Sequence, residues 1–190
     1  MKSSDFIRGK VPITKDEVRA ISIMKLDLIN AKTFVDIGAG TGSVSIEAAY
    51  NYPNLNIISI EKNEIAVDLI KQNINKFGVE NIELIEAYAP IELEEKVEAI
   101  FLGGTGKKLE DIIVWSNEHL VEGGRLVANF IIVDTFNECL SLLRKHNFVN
   151  IDVTSLNVSK LETLGSGEYF KPLNPIYIIS CEKGGVLNDK

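Results

Sequence analysis

The stretch Val35-Asp36-Ile37-Gly38-Ala39-Gly40-Thr41-Gly42 decides the fold: an apolar strand end carrying one acid runs into glycines at alternate positions. Glycines there permit a tight reversal and let a ligand approach bare backbone N–H groups. In a doubly wound sheet the first strand-to-helix turn lies beyond the carboxyl ends of the strands, where ligands bind. The spacing is G-x-G-x-G, not the G-x-G-x-x-G of dinucleotide sites, and no Walker lysine follows. Glu61 comes 19 residues after Gly42, at the end of the next expected strand. An acid at about that place hydrogen-bonds a ribose diol in Rossmann-like sites. Each feature alone has an ordinary explanation, a turn or a solvated charge; in one βαβ unit they point to a nucleoside-bearing ligand.

Working outward, strands and helices alternate. Upstream, Thr14 to Glu17 reads as a capping box, and apolar residues at Val18, Ile21, Met24 and Leu28 predict a helix over about 14–30. Thr33–Ile37 reads as a buried strand and Ser43–Tyr50 as a helix. A strand over 56–60, a helix over 63–77 stopped by Gly78, and strands over 81–85 and 97–102 follow. Next come a helix over 109–120, a Gly123-Gly124 turn, a strand over 125–132, a helix over 134–146 and a strand near 148–157. A polar loop over 158–174 precedes a last strand at 176–182. Strands spaced by helices of this length imply right-handed βαβ units, hence an α/β fold with a mostly parallel open sheet and helices on both faces. The final two strands have no helix between them and pair most easily as a hairpin, which makes the last strand antiparallel. With no repeat or linker, residues 1–190 read as one domain that includes a helical N-terminal segment, 1–31.

Hydrophobic residues make up 45% and charged residues 25% of the 190, the mix of an ordinary globular chain. Twenty Lys and Arg against 27 Asp and Glu give a net charge of −7, which disfavours nucleic acid and anionic membranes as partners. No apolar run is long enough to span a bilayer, and the first residues contain no apolar signal region. Cys139 and Cys181 have no ligand-spaced neighbours, so neither a disulfide framework nor a metal site is expected. The expected location is the cytoplasm.

At the glycine turn and Glu61 the chain resembles class I S-adenosylmethionine-dependent methyltransferases. Their first motif is an apolar strand, an acid and G-x-G-x-G, and their Rossmann-like, seven-stranded sheet ends in an antiparallel hairpin strand. The resemblance implies that the amino-acid end of the cofactor meets backbone near Asp36 and Gly38 to Gly42, and that its ribose meets Glu61. Exocyclic-amine methyltransferases carry an Asn/Asp-Pro-Pro-Tyr/Phe motif after the fourth strand. Here that place holds Leu102-Gly103-Gly104-Thr105-Gly106, while the similar Asn174-Pro175-Ile176-Tyr177 opens the final strand.

A narrower resemblance is to the decarboxylating cobalt-precorrin-6B C(15)-methyltransferase family of anaerobic cobalamin synthesis. Four segments are similar, in order: Pro12 to Arg19, Asp36 to Ile46, Phe101 to Gly106, and Asn174-Pro175-Ile176. This likeness implies S-adenosylmethionine as cofactor, a tetrapyrrole as substrate and a homotetramer. It also implies cofactor contacts at Thr14, Gly38, Ala39, Gly40, Thr41, Gly42, Glu61 and Ala89. Tyr88 stands where many relatives carry an acid for the adenine amino group, which leaves that contact to backbone at Tyr88 or Ala89.

A reduced tetrapyrrole needs no protein nucleophile, because its meso carbon is enamine-like and its conjugated ring accepts the electrons released on decarboxylation. No convincing Ser/His/Asp or Cys/His set is present, and no catalytic acid or base is assigned; His119 and His146 read as surface residues. The substrate is a polyanion, so an acidic chain must gather donors locally. Gly103, Gly104, Thr105 and Gly106 offer a backbone nest. Lys10, Lys15 and Arg19 cluster near the N-terminus, and Lys107 and Lys108 flank the glycine loop. Asn129 is a further candidate, as is Lys160, which stands where the family usually places an arginine. Three other readings remain: a class I methyltransferase acting on another small molecule, a nicotinamide-dependent oxidoreductase, and a cofactor-binding module without chemistry.

Overall fold

The structure, a computed structural model, describes residues 1–185. Its helices are α1 (Asp16–Leu26), α2 (Ser43–Asn51), α3 (Glu64–Phe77), α4 (Leu109–His119) and α5 (Val133–Lys145). Its strands are β1 (Thr33–Ile37), β2 (Asn56–Glu61), β3 (Ile82–Glu86), β4 (Val97–Leu102), β5 (Leu120–Phe130), β6 (Phe148–Leu156), β7 (Ser159–Leu164), β8 (Gly167–Pro172) and β9 (Ile176–Lys183).

Seven strands form one sheet in the order β3-β2-β1-β4-β5-β9-β6. All run parallel except β9, which pairs antiparallel with both β5 and β6. The reversal at β1 and β4, where the order turns back on itself, puts the turn after β1 at a switch point. Side chains alternate across the central strands. Ile100 and Leu102 join a core layer with α4 and α5, while Ala99 and Phe101 join a layer with α1 and α2. Both faces of the sheet are therefore covered, as apolar runs such as Ala99 to Leu102 require. Phe6, from the N-terminal segment, belongs to the second layer.

Four expectations need correction. Helix α1 begins at Asp16 with Lys15 at the N-cap and no capping side chain, so Thr14 and Glu17 do not form a capping box. The reason is that Lys15, not Thr14, sits at the N-cap, and the Glu17 carboxylate that a box would need pairs with Lys160 instead. The helix also ends early, because Asp27 is left-handed (φ 51°) and only a short 3-10 turn, Leu28–Asn30, follows. Strand β5 ends at Phe130, not at residue 132, and it starts at Leu120, with Gly123-Gly124 lying in the irregular stretch where its register with β4 shifts. Finally, 158–174 is not a plain loop, since β7 and β8 pair with each other as a separate two-stranded hairpin whose residues are all exposed.

Candidate functional site

The turn between β1 and α2 is held from several sides. Gly38 and Ala39 donate their backbone N–H groups to the Ile60 carbonyl at 2.9 and 3.2 Å. The Glu61 carboxylate accepts from Gly40 N at 2.9 Å and, through its other oxygen, from Lys62 N and Asn63 N, each at 2.9 Å. Asn73 of α3, fully buried, donates to the Thr41 carbonyl and exchanges two hydrogen bonds with the backbone of Ile7. One amide side chain thus ties the glycine turn to the N-terminal segment.

Gly38 shows why glycine is required there. Its φ is +70°, and a Cβ would sit 2.4 Å from the Gly104 carbonyl oxygen. The turn after β1 therefore packs directly on the turn after β4, whose Gly103 and Gly104 N–H groups both donate to the Ile37 carbonyl. That contact amends the nest expected at Gly103 to Gly106: two of its donors are already engaged within the protein.

Three contiguous cavities open at this edge. One, of about 620 Å³, lies between the Lys10–Lys15 segment and the wall formed by Asp36, Gly38 to Thr41 and Glu61; Asn129, Ile131 and Asn174 close its far side. A second, of about 470 Å³, shares Gly38 and Glu61 with the first and extends past Lys62, Tyr88, Ala89 and Thr105 to Lys108. A smaller one, about 240 Å³, lies between Gly103 to Thr105 and Asn129 to Ile132. Another cavity, at the opposite edge beside Asn56, Glu80 and Glu94, lies away from the glycine turn.

Asp36 is the unusual group. One carboxylate oxygen accepts from Ser45 Oγ at 2.6 Å, and Ser59 Oγ in turn donates to Ser45 at 2.7 Å. The other oxygen is buried without a partner, as is the Thr41 hydroxyl. Burial pushes the Asp36 carboxyl up to about 7; the Ser45 hydroxyl opposes the shift and the Glu61 charge adds to it. A buried acceptor left open on a cavity wall suits a cationic ligand group, since an unmatched buried polar atom is costly. Glu61 already accepts three backbone bonds, yet two carboxylate oxygens offer about four acceptor sites.

Most of the residues singled out in the sequence meet here. Thr14, Asp36, Gly38, Ala39, Gly40, Thr41 and Glu61 line the largest cavity, and Ala89 lines its neighbour. Gly42 does not; a Cβ there would press on Ile46 and Ile70 in the interior. Asn129 lines two cavities while donating to Ser22 Oγ at 2.9 Å. Lys160 is set apart on the hairpin and engaged with Glu17. Arg19 is not part of a surface cluster: it is fully buried, its guanidinium bound to Glu47 and to the Met1 and Thr14 carbonyls. Tyr88 is exposed, with Lys62 Nζ 4.6 Å and Lys108 Nζ 5.9 Å from its ring centre. The sequence reading missed Ile65, Phe101 and Ile131 on the walls.

Charge around the cavities inverts that of the chain. The charged residues lining the three are Lys10, Lys15, Lys62, Lys107 and Lys108 against only Asp36 and Glu61.

Sequence and fold both resemble those of known proteins. A sequence model of the precorrin methyltransferase domain matches residues 6–183. The chain is 42% identical over 184 residues to the cobalt-precorrin-6B C(15)-methyltransferase (decarboxylating) of Salmonella typhimurium, covering 96% of each. Its structure superposes on a precorrin-6y C5,15-methyltransferase from Geobacter metallireducens with a TM-score of 0.90 and 36% identity, covering 96% of both chains. A precorrin 8W decarboxylase from Methanobacterium thermoautotrophicum gives a TM-score of 0.86 at 27% identity, over 95% of this chain and 98% of that one.

Proposed function

The chain belongs to the precorrin methyltransferase family, and from that premise we propose that it methylates cobalt-precorrin-6B at carbon 15 and removes the ring C acetate carboxyl as carbon dioxide. The observation that carries this reading is the cavity of about 620 Å³ walled by Asp36, the glycine turn and Glu61, in a chain 42% identical to an enzyme of that name. The proposed cofactor is S-adenosylmethionine, which supplies an electrophilic methyl group on a positively charged sulfur.

The residues present fit that cofactor. The unpartnered oxygen of Asp36 and the Thr41 hydroxyl offer polar partners for its amino-acid end, beside the glycine backbone at Gly38 and Gly40. Glu61 has lone pairs left for a ribose diol, and Tyr88 and Ala89 border the adjoining cavity where a base would lie. Thr14 and the Lys10–Lys15 segment wall the outer side. The chain's contribution is positioning, worth roughly 7–11 kcal/mol in favourable intramolecular cases. Carbon 15 of the substrate provides the electron pair for the new bond, and the conjugated ring receives the pair left behind by departing carbon dioxide. A protein nucleophile is therefore unnecessary. The −7 charge of the chain disfavours nucleic acid as an alternative substrate, and no described helix is long and apolar enough to cross a membrane.

We further read residues 1–190 as a single domain that works in the cytoplasm as a homotetramer. Leu161, Leu164 and Phe170, exposed on the β7–β8 hairpin, support assembly: an isolated two-stranded hairpin is marginal in water without a surface to pack on. The decisive experiment is mass spectrometry after incubation with cobalt-precorrin-6B and S-adenosylmethionine. The product should carry one added methyl and lack one carbon dioxide. Failure to form it would remove the reading.

A further inference from the structure

Strand β5 stops at Phe130, and three branched apolar residues follow it into solvent: Ile131, Ile132 and Val133 are 57%, 64% and 50% exposed. They do not sit on an arbitrary face. Ile131 lines both the largest cavity and the smallest, and Ile132 lines the smallest. Across the largest cavity Ile65, at 67% exposure, presents a fourth apolar side chain. The mouth of the site therefore has an apolar rim.

The charges around that rim set the chemistry of its occupant. Five lysines line the three cavities, in a chain of net charge −7. Of the two acids, Glu61 is engaged with three backbone N–H groups and Asp36 is buried at the bottom of the turn. Apolar side chains ringed by cations complement a broad conjugated ring fringed with carboxylates. A second copy of this acidic chain suits the rim less well, and the apolar hairpin side chains offer a separate surface for assembly.

We propose that Ile131, Ile132 and Val133 form a ledge on which a face of the tetrapyrrole macrocycle rests, with its carboxylates received by Lys10 and Lys15 on one flank and by Lys107 and Lys108 on the other. The proposal rests on the tetrapyrrole reading above and adds the place and the orientation of binding. Ile131 and Asn129 both lie on the wall shared by the largest and the smallest cavities, so the ledge adjoins both.

The test uses uroporphyrin, a stable octacarboxylate tetrapyrrole, titrated by fluorescence into the full chain with S-adenosylhomocysteine present. The wild-type protein should bind it. Ile132→Asp should weaken binding about tenfold or more, because a carboxylate would be buried against the ring face and face its anions; Ile132→Leu should bind as wild type. Lys10→Gln with Lys15→Gln should weaken binding and flatten its salt dependence. S-adenosylhomocysteine affinity should be unchanged in Ile132→Asp, which also reports that this variant is folded. If Ile132→Asp binds uroporphyrin as tightly as wild type, the ledge is misplaced while the tetrapyrrole reading stands. A fall in sedimentation mass with unaltered porphyrin affinity would make the ledge a subunit interface instead. Wild-type protein that binds neither uroporphyrin nor cobalt-precorrin-6B would overturn the functional reading and the ledge together.

Discussion

Glu61 Oε2 accepts the backbone N–H of Gly40 at 2.9 Å, so the acid at the end of β2 braces the turn after β1. Three backbone donors converge on this one side chain. Glutamine has a single acceptor oxygen and cannot satisfy them all. Hydrogen bonds to charged groups contribute about 1.5–3 kcal/mol. Glu61→Gln should thus weaken S-adenosylhomocysteine binding by about tenfold or more and speed amide exchange at Gly40. Calorimetry and hydrogen exchange together check it; normal values in both would leave Glu61 a bystander.

Asp36 should make binding of the proposed cofactor depend on pH. Its carboxyl titrates at about 7 in the folded chain, and only the ionised form pairs with an ammonium group. Affinity for S-adenosylhomocysteine should rise as pH passes upward through 7, with proton release on binding. Asp36→Asn should bind weakly and lose that dependence. A flat wild-type profile between pH 6 and 8 would contradict the assignment.

The same carboxyl carries a stability cost of opposite sense. Its folded value lies above the ordinary aspartate value of 3.8, so the folded state holds the proton more tightly. Stability from this group is complete below 3.8 and lost as pH rises to about 7. Asp36→Asn should therefore be more stable than wild type at pH 8, by up to about 4 kcal/mol, with little difference at pH 3.5. Thermal unfolding at the two pH values decides it.

Gly38 and Gly40 should differ in kind. Gly38→Ala forces a methyl to within 2.4 Å of the Gly104 carbonyl, so the two turns must separate. Overpacking costs about 1–3 kcal/mol, and the left-handed φ adds about 1–2 kcal/mol more. At Gly40 the nearest atom to a new Cβ is the Pro12 carbonyl at 3.5 Å. Gly40→Ala should lose only the conformational part, yet bind cofactor poorly because its methyl projects between turn and N-terminal segment. Melting temperature against affinity separates the two.

Replacing Leu161 and Phe170 with serine should dissociate a homotetramer without lowering the stability of the separated chain, because both side chains are exposed. Sedimentation velocity reads the outcome. A monomeric wild type would end the tetramer proposal.

The parallel sheet was legible because its strands are short apolar runs set apart by helix-length segments, and one wall of the largest cavity because glycine spacing and one acid mark it. Arg19 was misread for a physical reason: arginine is seldom fully buried, and its partner Glu47 is 28 residues away. The β7–β8 hairpin was hidden because no face of it is buried, which removes the apolar alternation that marks a strand. Ile131 and Ile132 looked like strand interior for the opposite reason, since composition alone does not tell where pairing with β9 ceases. Asn73, which links Ile7 to Thr41, gave no signal, as an amide within a helix carries no spacing rule.

The placement of β9 between β5 and β6 has a consequence for biosynthesis. As the chain leaves the ribosome, β3, β2, β1, β4 and β5 can assemble in sequence, but the outer edge of β5 finds no neighbour in the next strand made. That edge and β6 both wait for Ile176–Lys183, the last of the sheet's strands to be translated. Unpaired edges are where nascent chains associate with one another. A stalled ribosome or a nonsense mutation upstream of Ile176 therefore leaves open the two strand edges that β9 covers, one on β5 and one on β6, and makes the product an aggregation hazard rather than a shortened enzyme.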